Sequence, residues 1–320
     1  MQKILIYEYI TGGGLINEDL TSDFMHEAKL MTNSLYRDCL KSKNISFKYF
    51  QDYRLNSIKK LNSVIVRDKK QIYNIKFLKK FDWILPILPE NDSILYNYIS
   101  FLENNNCKKI SSDKKTILLL SDKLKFYKFC IKNNIPTIPT HTLMVYKKLK
   151  NIGKYIIKDR FGVGCSYVKT CNDIHNINPK TFTKKIIQPY FNGDDYSISV
   201  FFTKNNFKFL TINKQYIVEK DNRFLKLEKI LVNVKSISLI KISYILSKLK
   251  KLLPGLIGYI GIDIIIKNSN IYIVEINPRF TTSFAGLHGS LGINLIDLFL
   301  NPYSQKNIIT GKQCLIKTHE

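Results

Sequence analysis

The residues best suited to chemistry lie in one short stretch, "GYIGIDIIIKNSNIYIVEINPRFTTS", Gly258 to Ser283. Two apolar runs flank a polar tip, and the second ends in Glu275, Asn277 and Arg279. Side chains along a strand alternate between faces, so Glu275 and Asn277 share one face. If the turn holds an odd number of residues, for instance Asn268 to Asn270, Asp263 stands directly opposite Glu275; an even turn separates them. The same pattern sends Ile262, Ile264, Val274 and Ile276 into a core on the other face. Two carboxylates opposed across a ladder repel unless a positive charge lies between them. Three oxygen donors with no His or Cys beside them select a hard cation, Mg²⁺ or Mn²⁺. A solvated hairpin face stays open as the alternative.

A Mg²⁺ ion held by one or two carboxylates usually keeps some waters and takes its other ligands from phosphates. "IIKDRFGVGCS" offers a phosphate cradle, with Lys158 at a strand end and Gly162 and Gly164 in the turn after it. Glycines let backbone N–H groups approach phosphate oxygens, and a lysine supplies a point charge. No G-K-[ST] follows, so this is not a Walker A loop. A glycine turn in an ordinary hairpin is the other reading. Gly12 to Gly14 after the first strand do not fit G-x-G-x-x-G either, and a tight turn explains them as well as a ligand does.

These residues need elements to hold them. "KILIYEY", "ISFKYF" and "WILPILPE" read as strands, with a helix over about 20–43 and another from "SILYNYISFLENNN". Strands alternating with helices predict a small parallel α/β domain over residues 1–112. The texture then changes. "SDKLKFYKFCIKNNIPTIP" reads as a capped helix with a stop, "KYIIKDRFGVGCSYVKT" as strand, turn, strand, "KKIIQPYFNGDDYSISVFFTKNNFKFLTIN" as strand, loop and hairpin, and "LIKISYILSKLKKLLPG" as an amphipathic helix. "GINLIDLFLNP" predicts a last helix. This divides the remainder into 113–190 and 191–320, mostly antiparallel.

Composition narrows the class. The chain of 320 residues carries 50 Lys and Arg against 25 Asp and Glu. Only six of the basic residues are Arg and the lysines are spread out, unlike the local Arg-rich stripes of nucleic-acid readers. No apolar run reaches the ~18 residues of a membrane span. No secretory signal pattern opens the sequence, and six scattered cysteines without a CxxC pair fit a reducing cytoplasm.

In order, "SDK", "NIPTIP", "IIKDRFGVG", "QPYFNGDDYSIS" and "GYIGIDIII…IVEINPR" resemble the ATP-grasp superfamily over about 121–292. The resemblance implies a pre-ATP-grasp α/β domain followed by a two-lobed ATP-grasp domain that uses ATP and Mg²⁺ (or Mn²⁺). It implies that Lys123 and Lys158 contact phosphates and that the loop from Gly162 through Gly164 to Ser166 is the flap over them. Gln188, Pro189 and Tyr190 fall on the hinge whose backbone meets adenine, with Gln188 standing where Glu is more usual. Asp195 matches the ribose-binding acid, Asp263, Glu275 and Asn277 the metal ligands. "IYEYITGGG", "EAKLM", "LTINKQ" and "EINPRFTTSFAG" further resemble tyramine–glutamate ligases of methanofuran biosynthesis and related ligases of methylotrophic bacteria, although Lys214 departs from the Arg expected in "NRQ".

The resemblance implies the reaction ATP + carboxylate + amine → ADP + phosphate + amide, through an acyl phosphate. Arg279 would steady that intermediate, with a structural ion pair as its other reading, and Lys158 would neutralise the transferring phosphoryl group. Asn213 and the turn from Thr281 to Gly286 would face substrate; Glu8 and the Gly12–Gly14 turn are candidates for the same pocket. The expected partners are a small carboxylate and a small amine, with no nucleic acid or membrane, in a cytoplasmic enzyme that family precedent makes a homodimer. Open alternatives are a D-alanine-type dipeptide ligase, a carboxylating enzyme, and a non-catalytic basic nucleic-acid-binding protein.

Overall fold

The computed structural model describes residues 1–20, 24–55, 62–146, 153–164, 167–173, 182–220, 223–235, 238–301 and 311–318. The first strand, β1 (Gln2–Glu8), is apolar on both faces, as a strand covered on both sides must be. It lies inside a four-stranded sheet with β2 (Ile45–Asp52), β3 (Ser63–Val66) and β4 (Trp83–Ile87), in the order β3-β2-β1-β4. All neighbours are parallel. Pro86 is accommodated because β4 is the edge. Helix α1 (Met25–Lys41) covers one face; it is shorter than the stretch 20–43 read from the sequence, and 21–23 lie outside the described residues. The short helices α2 (Lys69–Ile72) and α3 (Ile75–Leu78), with α4 (Ile94–Asn104), pack on the other.

Helices α5 (Lys114–Leu120), α6 (Lys123–Lys132) and α7 (Leu143–Tyr146) lead into a three-stranded antiparallel sheet. Its strands are β5 (Tyr155–Asp159), β6 (Val168–Cys171) and β7 (Lys185–Pro189), in the order β6-β5-β7. A six-stranded antiparallel sheet follows: β8 (Asp194–Phe202), β9 (Phe207–Glu219), β10 (Leu225–Val232), β11 (Gly258–Lys267), β12 (Asn270–Asn277) and β13 (Cys314–Lys317). They are ordered β12-β11-β8-β9-β10-β13. β10 and β13 have no counterpart in the sequence reading. Between β10 and β11 runs α8 (Leu239–Leu252), whose Ile242, Leu246 and Leu249 pack beneath the sheet with Phe126 and Cys130 of α6. The mixed α/β architecture, parallel at the N-terminus and antiparallel beyond, is the one expected. We keep 1–112, 113–190 and 191–320 as the proposed domains, noting that α6 lends its apolar face to the large sheet.

After β12 the chain makes a 3-10 turn (Thr282–Gly286) and the helices α9 (Leu287–Leu291) and α10 (Leu295–Leu300). Phe284, Leu287 and Leu298 share one core with Leu35, Tyr49 and Leu85 of the N-terminal domain. That shared core ties the end of β12 to the parallel sheet, and places Arg279 against it.

The β11–β12 hairpin is built differently from the sequence expectation. Its turn has two residues, Asn268 and Ser269, both left-handed with φ of 50° and 61°. An even turn puts Val274 opposite Asp263. A bulge after Asp263, however, sets Ile264 against Ile273 and leaves Val274 as the extra residue, so Asp263 faces Glu275 after all. Val274 therefore leaves the core and lines the cleft, whereas Ile262, Ile264 and Ile276 are buried as expected.

Candidate active site

Asp263 and Glu275 face each other across the bulged ladder. Gln215 of β9 donates Nε2 to Asp263 Oδ1 at 3.0 Å, and Asn277 donates Nδ2 to Asp263 Oδ2 at 2.9 Å. Glu275 Oε2 lies 3.2 Å from Lys123 Nζ. Burial and the opposing Glu275 push the Asp263 carboxyl up to about 7. Burial works against ionised Glu275 too, but Lys123, Lys158 and Arg279 hold it below the usual carboxylate range. Two opposed carboxylates and an amide, without a nitrogen or sulfur ligand, suit a divalent cation that prefers oxygen. A cation between them would lift the repulsion that raises Asp263, so the residues fit the metal.

The end of the cleft that holds Lys123 and the glycine loop is organised by Asp122. Its carboxylate caps α6 by accepting from Leu124 N and Lys125 N, both at 3.1 Å. The same carboxylate accepts Arg160 Nε and Arg160 Nη2, both at 2.7 Å. Lys123 N in turn donates to Arg160 O at 3.1 Å, and Lys123 Nζ donates to Gly162 O. The helix start and the glycine loop are thereby joined, bringing Lys123 beside the loop that follows Lys158. Gly164 has φ +57°, and a Cβ there would lie 2.9 Å from the Phe24 ring, so only glycine fits without displacement. Ser166 lies outside the described residues.

Between the small and large sheets is a cleft of about 240 Å³. At one end it is lined by Lys123, Lys158, Gly162, Gly164, Asp263 and Glu275. At the other it is lined by Gln188, Pro189, Tyr190 and Asp195. Apolar side chains of both sheets, Ile156 and Val168 from one and Ile217 and Ile265 from the other, form walls suited to a flat base. Gln188 is buried and donates Nε2 to Thr140 Oγ1 at 2.7 Å, so its side chain is anchored to the protein behind the cleft. Burial pushes the Asp195 carboxyl up to about 6, against the pull of Lys214. Lys214 itself pairs with Asp194 at 2.6 Å on the cleft rim.

Arg279 does not itself line the cleft; it lies behind Glu275, near enough for the two charges to act on each other, where the N-terminal domain meets the large lobe. Its Nε donates to Glu90 Oε2 at 2.8 Å and its Nη1 to Phe280 O at 3.1 Å. Glu90 follows β4, and Glu27 of α1 accepts Thr282 Oγ1. Arg279 thus sits among Glu27 and Glu90 of the N-terminal domain and Glu275 of the large lobe, and the ion-pair reading describes its contacts here. Three sequence suggestions change. Asn213 is fully buried, donating to Ser197 Oγ at 3.2 Å and Ser199 Oγ at 3.1 Å, so it supports the sheet and does not face substrate. Within the turn from Thr281 to Gly286, Thr282, Ser283, Phe284 and Gly286 are buried against the shared core. Glu8 is buried and accepts Thr11 N and Thr11 Oγ1, each at 2.6 Å, so it braces the glycine turn. Gly13 in that turn has φ +91°, and a Cβ on Gly12 would meet Glu8 O at 2.3 Å.

Sequence reasoning passed over Gln215, Asp122, Arg160, Glu90 and Glu27. The first three left a trace: Gln215 ends "NKQ", and Asp122 and Arg160 flank the two lysines. Glu90 is 189 positions from its partner and left none.

A family model described as an ATP-grasp domain matches residues 120–283. A protein of Methanocaldococcus fervens named tyramine–L-glutamate ligase is 31% identical over 290 residues, covering 89% of this chain and 89% of that one. One of the same name from Methanocaldococcus jannaschii is 29% identical over 293 residues, covering 90% and 85%. Among solved structures, an Archaeoglobus fulgidus protein described as an ATP-grasp superfamily member superposes with a TM-score of 0.75 at 22% identity, over 99% of this chain and 92% of that one.

Proposed function

The chain belongs to the ATP-grasp family and is an ATP-dependent carbon–nitrogen ligase, and from that premise we propose that it joins L-glutamate to tyramine or tyrosine. The observation that carries the proposal is the part-buried Asp263–Glu275–Asn277 set beside two lysines at one end of a base-sized cleft. The names of two relatives that align over about nine-tenths of this chain support the substrate assignment. In this reading the product belongs to a methanofuran-type cofactor pathway in the cytoplasm, and the enzyme is a homodimer. Among the described residues, no helix is long and apolar enough to cross a membrane.

The residues divide the work as follows. Walls from both sheets hold adenine, with the backbone of Gln188 to Tyr190 along its edge and Asp195 accepting from ribose. Lys123 and Lys158 neutralise phosphate charge, and the Gly162–Gly164 loop covers it. Asp263, Glu275 and Asn277 would hold the divalent metal, proposed as Mg²⁺ or Mn²⁺, which would offset the charge of the triphosphate. Phosphoryl transfer needs little covalent help, so positioning and charge neutralisation suffice. The glutamate γ-carboxylate displaces ADP to give an acyl phosphate. Arg279 steadies it, and the amine then displaces phosphate.

Purified protein incubated with Mg-ATP and glutamate, with and without tyramine or tyrosine, tests this by mass spectrometry. ADP together with a mass equal to the glutamyl amide is the expected result. ADP formed with other carboxylate–amine pairs and never with glutamate would overturn the substrate assignment.

A further inference from the structure

Glu90 stands just beyond the carboxyl end of β4, the side of a parallel sheet where α/β proteins bind ligands. Its side chain is 5% exposed. One oxygen, Oε2, is bound to Arg279 at 2.8 Å; the other, Oε1, is buried and has no hydrogen-bond partner. Leaving a buried carboxylate oxygen unpaired costs stability, so such an atom calls for another explanation. Glu90 also lines a crevice with Ser121, Lys123, Gly162, Glu275 and Asn277. That crevice has room, about 10 Å³, for one group the size of a water molecule, which is also the size of an ammonium.

An amine reaches the enzyme near neutral pH as R–NH₃⁺, which has no lone pair and cannot attack. It must be desolvated, held and relieved of a proton beside the acyl phosphate. Of the two carboxylates lining the crevice, Glu275 is committed to Lys123 and to the proposed metal. Glu90 is left. Its second oxygen already holds the guanidinium assigned to the acyl phosphate, so one carboxylate spans nucleophile and electrophile.

We propose that Glu90 is the amine-binding residue and general base of this ligase, its free oxygen Oε1 accepting the substrate ammonium and then its proton. The step balances. R–NH₃⁺ gives one proton to the Glu90 carboxylate; the freed lone pair forms the C–N bond to the acyl carbon. The C–O bond to phosphate breaks, phosphate leaves with its electron pair, and the adduct loses its second proton. Overall, R′COO⁻ + RNH₃⁺ + ATP⁴⁻ gives R′CONHR + ADP³⁻ + HPO₄²⁻ + H⁺.

This inference rests on the ligase reading, and the test separates the two. Hydroxylamine is mostly uncharged at neutral pH and traps an acyl phosphate as a hydroxamate without needing a base. Wild type and Glu90→Gln are compared with glutamate and Mg-ATP, once with tyramine and once with hydroxylamine. The variant is expected to lose about 10²–10⁴-fold in kcat with tyramine, the usual worth of a general base, and a few fold at most with hydroxylamine. Its residual tyramine rate should rise with pH as the free amine accumulates. Glu90→Asp, which keeps the charge, should recover part of the tyramine rate. Equal losses with both nucleophiles, or an unchanged tyramine rate, would overturn the proposal. Wild type forming no hydroxamate would instead remove the glutamate-activation reading, and this inference with it.

Discussion

Replacing Asp122 by Ala should loosen the fold and nucleotide binding together, because one buried carboxylate organises both. The side chain is 3% exposed, caps α6 through two amides and holds Arg160 by two 2.7 Å hydrogen bonds. Loss of the cap costs about 1 kcal/mol. Breaking a fully buried pair costs about 3–5 kcal/mol, and Arg160 is 29% exposed, so about 2 kcal/mol is a fair share here. The expected destabilisation of Asp122→Ala is therefore about 3 kcal/mol, and that of Arg160→Ala about 2 kcal/mol, with a coupling of about 1–2 kcal/mol in the double-mutant cycle. Urea unfolding reads these. Because Arg160 O accepts Lys123 N, both variants should also weaken ATP binding about tenfold, or 1.4 kcal/mol, by calorimetric titration. Burial opposes ionisation of Asp122, but the Arg160 hydrogen bonds and the helix amides hold it below the usual carboxylate range. A depressed acid stabilises the fold above its unfolded value and loses that contribution as pH falls through the folded one. The difference between wild type and Asp122→Ala should thus be full at pH 7 and shrink below about pH 4. Additive single effects with unchanged ATP affinity would refute the reasoning.

Gln215→Leu removes the donor to Asp263 Oδ1 while keeping similar bulk; the metal concentration for half-maximal activity should rise about 10–100-fold, and an unchanged requirement would show that Gln215 does not orient Asp263. Asp195, pushed up to about 6 by burial, would in its proposed role accept ribose hydroxyls more strongly when ionised, so the KM for ATP should climb as pH drops through about 6. That limb should vanish in Asp195→Asn. Ser269→Gly relieves a non-glycine residue at φ 61° in a two-residue hairpin turn and should stabilise by about 0.5–1 kcal/mol in a thermal melt, with activity intact; destabilisation would mean the turn is not strained there.

Much of this site could be read from the chain because its parts are local. Glu275 and Asn277 share a face by strand alternation alone, and Lys158 leads directly into its glycine loop. The register between Asp263 and Glu275 was conditional on an odd turn. The turn is even, and the bulge that restores the pairing has no signature in the residues around Val274. β13, which pairs only with the distant β10, was missed for the same reason, whereas β10 was missed although it forms a hairpin with β9. So was Glu90, whose meaning depends on a contact with Arg279 across the domain boundary. Glu8 and Asn213 look like ligand residues in sequence, yet their hydrogen bonds are all spent inside the fold.

The central claim is that ATP activates a carboxylate as an acyl phosphate in the Asp263–Glu275 site, for an amine to capture. Glutamate carrying ¹⁸O in its γ-carboxylate, turned over with Mg-ATP and tyramine, tests it most directly. One ¹⁸O per turnover should appear in the released phosphate, and none should appear with Glu275→Ala. Amide formed with unlabelled phosphate, or with AMP and pyrophosphate as products, would contradict the account.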